Sequence, residues 1–150
     1  MDKLTKIKEL ISDFSDSVDT LEGALAWGYA ETEGLAERSP EYNQAVLSRD
    51  GVLMRFEYTF ELGWKLMKEL NNIIGSPCNS PNDCIRMSAQ NGIIQNPQDW
   101  LHYLESRNKI THVYKEENAK ATYTLTPKFL EDAKLFLEVV RNKVSSLKDN

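Results

Sequence analysis

The chain has 150 residues, 41% of them hydrophobic and 27% charged, and a formal net charge of −5. That length can bury an ordinary core without staples, and the composition suits amphipathic helices with solvated outer faces. The acidic balance argues against broad, sequence-independent binding to nucleic acid, which needs many Lys and Arg contacts to phosphate. It leaves room for a small basic site.

In the first segment Leu4, Ile7, Ile11, Phe14, Val18, Leu21 and Leu25 recur at steps of three and four. This is the seam of a long bundle helix, and Lys3, Lys6, Lys8, Glu9, Asp13 and Asp16 occupy its outer face. The pattern fades around Gly28 to Gly34, and Pro40 with its polar neighbours reads as a loop. A second helix is predicted from Tyr42 or Ser48 to Ile74, with Leu53, Phe56, Phe60, Met67, Leu70 and Ile74 on its apolar line. Gly63 takes one step of that line. A glycine there costs about 1 kcal/mol against alanine, so a close helix crossing is expected. Gly75 and Pro77 stop the helix.

Ser80-Pro81-Asn82-Asp83 has the chemistry of a helix start, and Asn91-Gly92 that of a stop. Asn96-Pro97-Gln98-Asp99 repeats the start. The helix it opens is expected to turn Trp100, Leu101 and Leu104 inward before running into Arg107 and His112. Lys115 to Lys120 reads as a charged turn, and Thr126-Pro127 as the opening of a last helix with the seam Leu130, Ala133, Leu137, Val140, Val144 and Leu147. Tyr123-Thr124-Leu125 has strand-like residues but no partner strand. The expectation is one all-α domain over residues 1–150, most simply an up-down bundle of four or five helices.

Cys78 and Cys84 flank a Ser-Pro turn with no histidine close by, so they do not make a zinc site. Charged residues after Met1 and the lack of a long apolar run point to a cytoplasmic chain. In that compartment two free thiols are expected rather than a disulfide.

The stretch Ser106-Arg107-Asn108-Lys109-Ile110-Thr111-His112-Val113-Tyr114 carries the chemistry. Arg107 suits a phosphate, and His112 can move a proton at neutral pH. Together they could cleave a phosphodiester without a metal, with Asn108 adding a hydrogen bond. Five positions on a helix turn a side chain through about 500°, so the two would point about 140° apart. They converge only if the helix tightens or ends between them, or if a second copy of the chain completes the site. An Arg and a His near a helix C-terminus are also favoured by the helix dipole alone, and spacing does not choose between these readings. Tyr114 by itself reads as a rim residue.

Upstream, Arg55-Phe56-Glu57-Tyr58-Thr59-Phe60-Glu61-Leu62-Gly63-Trp64-Lys65 is dense in aromatics and charge. Glu57, Glu61 and Lys65 step by four along one face, while Tyr58 and Trp64 add aromatic surface outside the seam. This is either a solvated helix face or a contact face for a partner or a second chain. His102 reads as a surface residue. There is no Gly-rich phosphate loop, nucleophile elbow, His-Glu-x-x-His or transferase-type acidic triad.

Arg107, four residues and then His112 form the R-x4-H signature of the HEPN superfamily, and Tyr114 extends it to R-x4-H-x-Y. With Arg55 to Lys65, Ser80 to Arg86 and Trp100 to Tyr114, the chain resembles the nucleotidyltransferase substrate-binding proteins over roughly Leu4 to Leu147. The resemblance implies a four-helix up-down bundle with a short additional helix, a homodimer, no cofactor or metal, and a separately encoded minimal nucleotidyltransferase (MNT) as partner. In the toxin branch it implies a metal-independent ribonuclease that uses Arg107, His112 and Asn108, with RNA as substrate and Tyr114 as the acceptor of AMP from the partner. The family's older description implies something else, a non-catalytic substrate-binding subunit.

Overall fold

The computed structural model describes residues 2–27, 31–110 and 115–148. Within them the chain forms five helices and no strand: α1 (Lys3–Trp27), α2 (Pro40–Ile73), α3 (Pro81–Gln90), α4 (Pro97–Lys109) and α5 (Glu116–Lys148). Helix α1 packs on both α2 and α5, which also pack on each other. Lys6 meets Glu69 and Ser17 meets Thr59, so α1 and α2 are antiparallel. Glu22 pairs with Lys134 and Ser15 with Arg141, so α1 and α5 are antiparallel too. Helix α4 completes the four-helix bundle, and α3 is the short additional helix between α2 and α4.

The core is aromatic at its centre. Phe14, Phe56, Phe60, Trp100, Tyr103, Phe129 and Phe136 come from four helices and are buried. Most of the contacts of Trp100 and Phe129 are edge-on, as expected for rings with a negative face and a positive edge. The close crossing expected at Gly63 is present. A Cβ there would stand 3.2 Å from Phe14 Cε2 and 3.9 Å from Trp100 Cζ3, so glycine lets α1 and α4 settle onto α2.

Several boundaries differ from the sequence reading. Pro40 belongs to α2, not to a loop: Ser39 caps the helix by accepting the Tyr42 N–H at 3.1 Å, and proline occupies the first turn. Helix α5 starts at Glu116, so Lys115 to Lys120 is mostly helix and Pro127 lies inside it. Tertiary packing explains this. Ala119, Thr122, Thr126, Phe129 and Ala133 are buried at steps of three and four straight through the proline, whose ring faces solvent. Pro127 has no N–H, so the Tyr123 carbonyl has no i+4 donor. The buried Thr126 hydroxyl donates to the Thr122 carbonyl, and the Thr124 hydroxyl to that of Lys120. In α4 Tyr103 joins Trp100 in the buried core while Leu101 and Leu104 pack against it half-buried, and Phe129 and Phe136 lead the buried face of α5.

Cys78 and Cys84 are bonded, contrary to the expected free thiols. The turn capped by Ser80 folds α3 back over the preceding loop and brings the two Cα atoms to 5.2 Å, within disulfide reach. Asn71 fastens the same region. It donates to the Met67 carbonyl and to Ser88, and accepts from Asn91, tying α3 to α2.

Candidate functional site

Arg107 stands in the last turn of α4, one turn beyond the buried Tyr103, so its side chain leans toward α2. There it meets two residues of the charged aromatic stretch. Nη1 donates to Glu61 Oε2 at 2.9 Å, and the guanidinium carbon lies 5.6 Å from the centre of the Phe60 ring. The stacked ring and the carboxylate hold the cation in place without removing it from the surface. Its Nε is sealed from solvent and makes no hydrogen bond among the described residues. Glu61 also lies 3.6 Å from Lys65, the pairing at a step of four that the sequence suggested.

A groove of about 510 Å³ opens beside this pair, lined by Met54, Glu57, Tyr58, Glu61, Leu62, Lys65 and Arg107. Two stretches far apart in sequence thus meet on one face: Arg107 from the R-x4-H signature, and four of the five residues marked as a contact face. The fifth, Trp64, turns partly inward against the core and does not line the groove. Asn108 is exposed on α4. His112 and Tyr114 lie outside the described residues. Helix α4 ends at Lys109, between Arg107 and His112, and the Ile110 N–H bonds both the Arg107 and the Ser106 carbonyls as the turn tightens.

The groove carries two acids and two bases, so it is no general phosphate track. Its outer edge is apolar. Leu47, Met54 and Tyr58 are 72%, 55% and 66% exposed along α2. Steps of seven and four put them on one stripe. The sequence reading missed Met54 and Leu62; the four-residue step from Tyr58 to Leu62 was the available signal.

The other end of the signature segment is also anchored. Arg49, only 4% exposed, grips Glu116 at the start of α5 with both terminal nitrogens, and Asp50 lies 3.6 Å from its Nε. Burial opposes the Arg49 charge, but the bonds to Glu116 outweigh it and raise its pKa. The hydrogen bond from Arg49 holds the Glu116 carboxyl below its ordinary value. Nothing in the local sequence marked this pair, because its members are 67 residues apart.

Residues 9–142 match the family described as nucleotidyltransferase substrate-binding protein-like. The chain belongs to that family. The match runs through all five helices and includes the R-x4-H-x-Y stretch. A relative named probable ribonuclease HepT, from Haemophilus influenzae, is 29% identical over 98 residues, which span 62% of this chain and 67% of that protein. Among solved structures, a nucleotidyltransferase substrate-binding domain from Haemophilus influenzae superposes with a TM-score of 0.71 at 23% identity, covering 87% of this chain and 98% of that one. A toxin–antitoxin structure with AMP-PNP gives a TM-score of 0.67 at 17% identity, covering 93% and 99%. At these identities the two structures establish the shared fold. With the family match, they bear out the HEPN resemblance of the sequence and its all-α bundle. No described helix of this family member is long and apolar enough to cross a membrane.

Proposed function

We propose that the chain is a HEPN-type toxin, a metal-independent endoribonuclease that works as a homodimer and is silenced by an MNT partner. The observation that supports it most is Arg107 at the wall of an open groove, on the face of α2 that carries the exposed Leu47, Met54 and Tyr58. The relative named as a probable ribonuclease supports the same class. A second copy seated on that apolar stripe brings the two Arg107 side chains toward one shared cleft, with Glu57, Tyr58, Glu61, Trp64 and Lys65 at or beside its border.

In that cleft one His112 accepts the proton of a ribose 2′-hydroxyl. The freed oxygen attacks phosphorus, and the bond to the 5′-oxygen breaks. The second protomer's His112, in its protonated form, donates its own proton to the leaving oxygen. Arg107 bears the charge that builds on the non-bridging oxygens, and Asn108 contributes a hydrogen bond. The products are a 2′,3′-cyclic phosphate and a 5′-hydroxyl. Transfer of AMP from ATP to Tyr114, two residues from His112, joins the tyrosine oxygen to the α-phosphorus with loss of its proton and release of pyrophosphate; it places a bulky anion where RNA must lie and stops cleavage.

Purified chain should digest RNA in excess EDTA and leave cyclic phosphate ends. Arg107→Ala and His112→Ala should each lower the rate about 100-fold or more. Equal rates for parent and double variant would refute the nuclease reading.

The second reading is a non-catalytic substrate-binding subunit of a nucleotidyltransferase. The Glu61 contact to Arg107 favours it, since a carboxylate already occupies the cation an RNA phosphate would need. Growth separates the two: only the toxin arrests cells when expressed without its partner.

A further inference from the structure

A second cleft, of about 280 Å³, opens on another side of the molecule, where the α3–α4 connection meets α5. Its walls include Ile94, Leu135 and Val139, and Asn96 and Asp132 lie at its polar end. Asp132 is half-buried and firmly oriented. The Tyr103 hydroxyl donates to its Oδ2 at 2.5 Å, and the Asn96 amide donates to the same oxygen at 3.0 Å. That amide also donates to Asp99 at 3.0 Å, so two carboxylates converge on one neutral group. Asp99 has its cation, Lys128, at 2.8 Å. Among the described residues Asp132 makes no direct ion pair: Lys128 is bonded to Asp99 and acts on Asp132 only at longer range, and both donors reach its Oδ2 rather than its Oδ1.

A half-buried carboxylate fixed by two neutral donors, with no cation bonded directly to it, suits a positive charge brought to its other oxygen. The apolar walls ask for a hydrocarbon stem behind that charge. The space is below the roughly 300 Å³ at which small-molecule pockets begin, so it suits one side chain better than a nucleotide. At the rim Leu135 is 61% exposed, and Glu131 and Glu138 flank it on the same face of α5, also exposed. An acid–apolar–acid rim fits a basic segment.

We infer that this cleft takes a lysine or arginine side chain of the nucleotidyltransferase partner, an inference that rests on the partner reading above. The apolar stripe of α2 then serves the second copy of this chain, and α5 serves the partner.

The test is calorimetric titration of the full chain with the purified nucleotidyltransferase, together with methyl NMR of the chain alone titrated with n-butylguanidinium. Asp132→Asn keeps an acceptor for Tyr103, and Leu135→Glu alters an exposed position; thermal melts confirm that both fold. Each variant should weaken the complex about tenfold or more. The guanidinium should shift the Ile94, Leu135 and Val139 methyls of the parent and not those of Asp132→Asn. Affinities of both variants within about twofold of the parent would overturn the partner assignment. If the parent binds no nucleotidyltransferase, the partner reading itself falls and this assignment with it. Absence of the methyl shifts would overturn the cleft's chemistry whatever the partner does.

Discussion

Gly63 and Arg107 illustrate two ways in which one residue carries more than its own position shows. Gly63 interrupts an apolar line at a cost that the sequence makes visible, and the structure returns the reason: a methyl group there would stand only 3.2 Å from the Phe14 ring. A Gly63→Ala variant gains about 1 kcal/mol of helix propensity. It must also push back a ring wedged in an aromatic core, and overpacking of that kind costs about 1–3 kcal/mol. Chemical denaturation should therefore find the variant less stable by about 1 kcal/mol, opposite in sign to the propensity effect. Arg107 was singled out through the R-x4-H resemblance rather than by spacing, and its partners were not legible at all. Phe60 and Glu61 are 47 and 46 residues away, and no local pattern says which face of α2 an α4 side chain will meet. The Oδ1 of Asp132 belongs to the same class, because both donors, from α4 and its cap, reach Oδ2 instead.

Among the elements, α1 and α3 were the most readable. Strict three-and-four spacing marked the first, and Ser-Pro and Asn-Gly punctuation bounded the second. Helix α5 was read one segment short, because a proline and three threonines are poor helix residues by local rules. The buried positions on either side of Pro127 override those rules. Cys78 and Cys84 were misjudged for another reason: compartment was used to decide a bond that the turn geometry permits.

The junction of α2 with α5 has a pH signature. Glu116 is held below its ordinary pKa of 4.5, first by the hydrogen bond from Arg49. A carboxyl whose folded pKa is depressed contributes stability that is full above its unfolded value and is lost as pH falls through the folded one. The melting-temperature gap between the parent and Glu116→Gln should hold from neutral pH down to about 5 and shrink below about 4.5. A gap that stays constant into acid would deny the pair that role. The partial exposure of Glu116 keeps the effect modest.

At the scale of the molecule, an acidic bundle presents two unlike faces. One is the α2 stripe with Arg107 at the wall of its groove; the other is the Asp132 cleft beneath the acidic rim of α5. A chain of net charge −5 has little general attraction for RNA. On the proposed nuclease function, specific contacts in a composite cleft supply the affinity, and a single added anion close to His112 removes it. The account makes that modification the link between the chain, its partner and its own activity. Its most direct test is to incubate the chain with the nucleotidyltransferase partner and ATP, locate any adduct by peptide mass spectrometry, and assay RNA cleavage by the same sample. The account predicts AMP on Tyr114 and loss of cleavage in proportion to its occupancy, with Tyr114→Phe unmodified and still active. AMP absent from Tyr114, or cleavage unchanged when Tyr114 is fully modified, would contradict it.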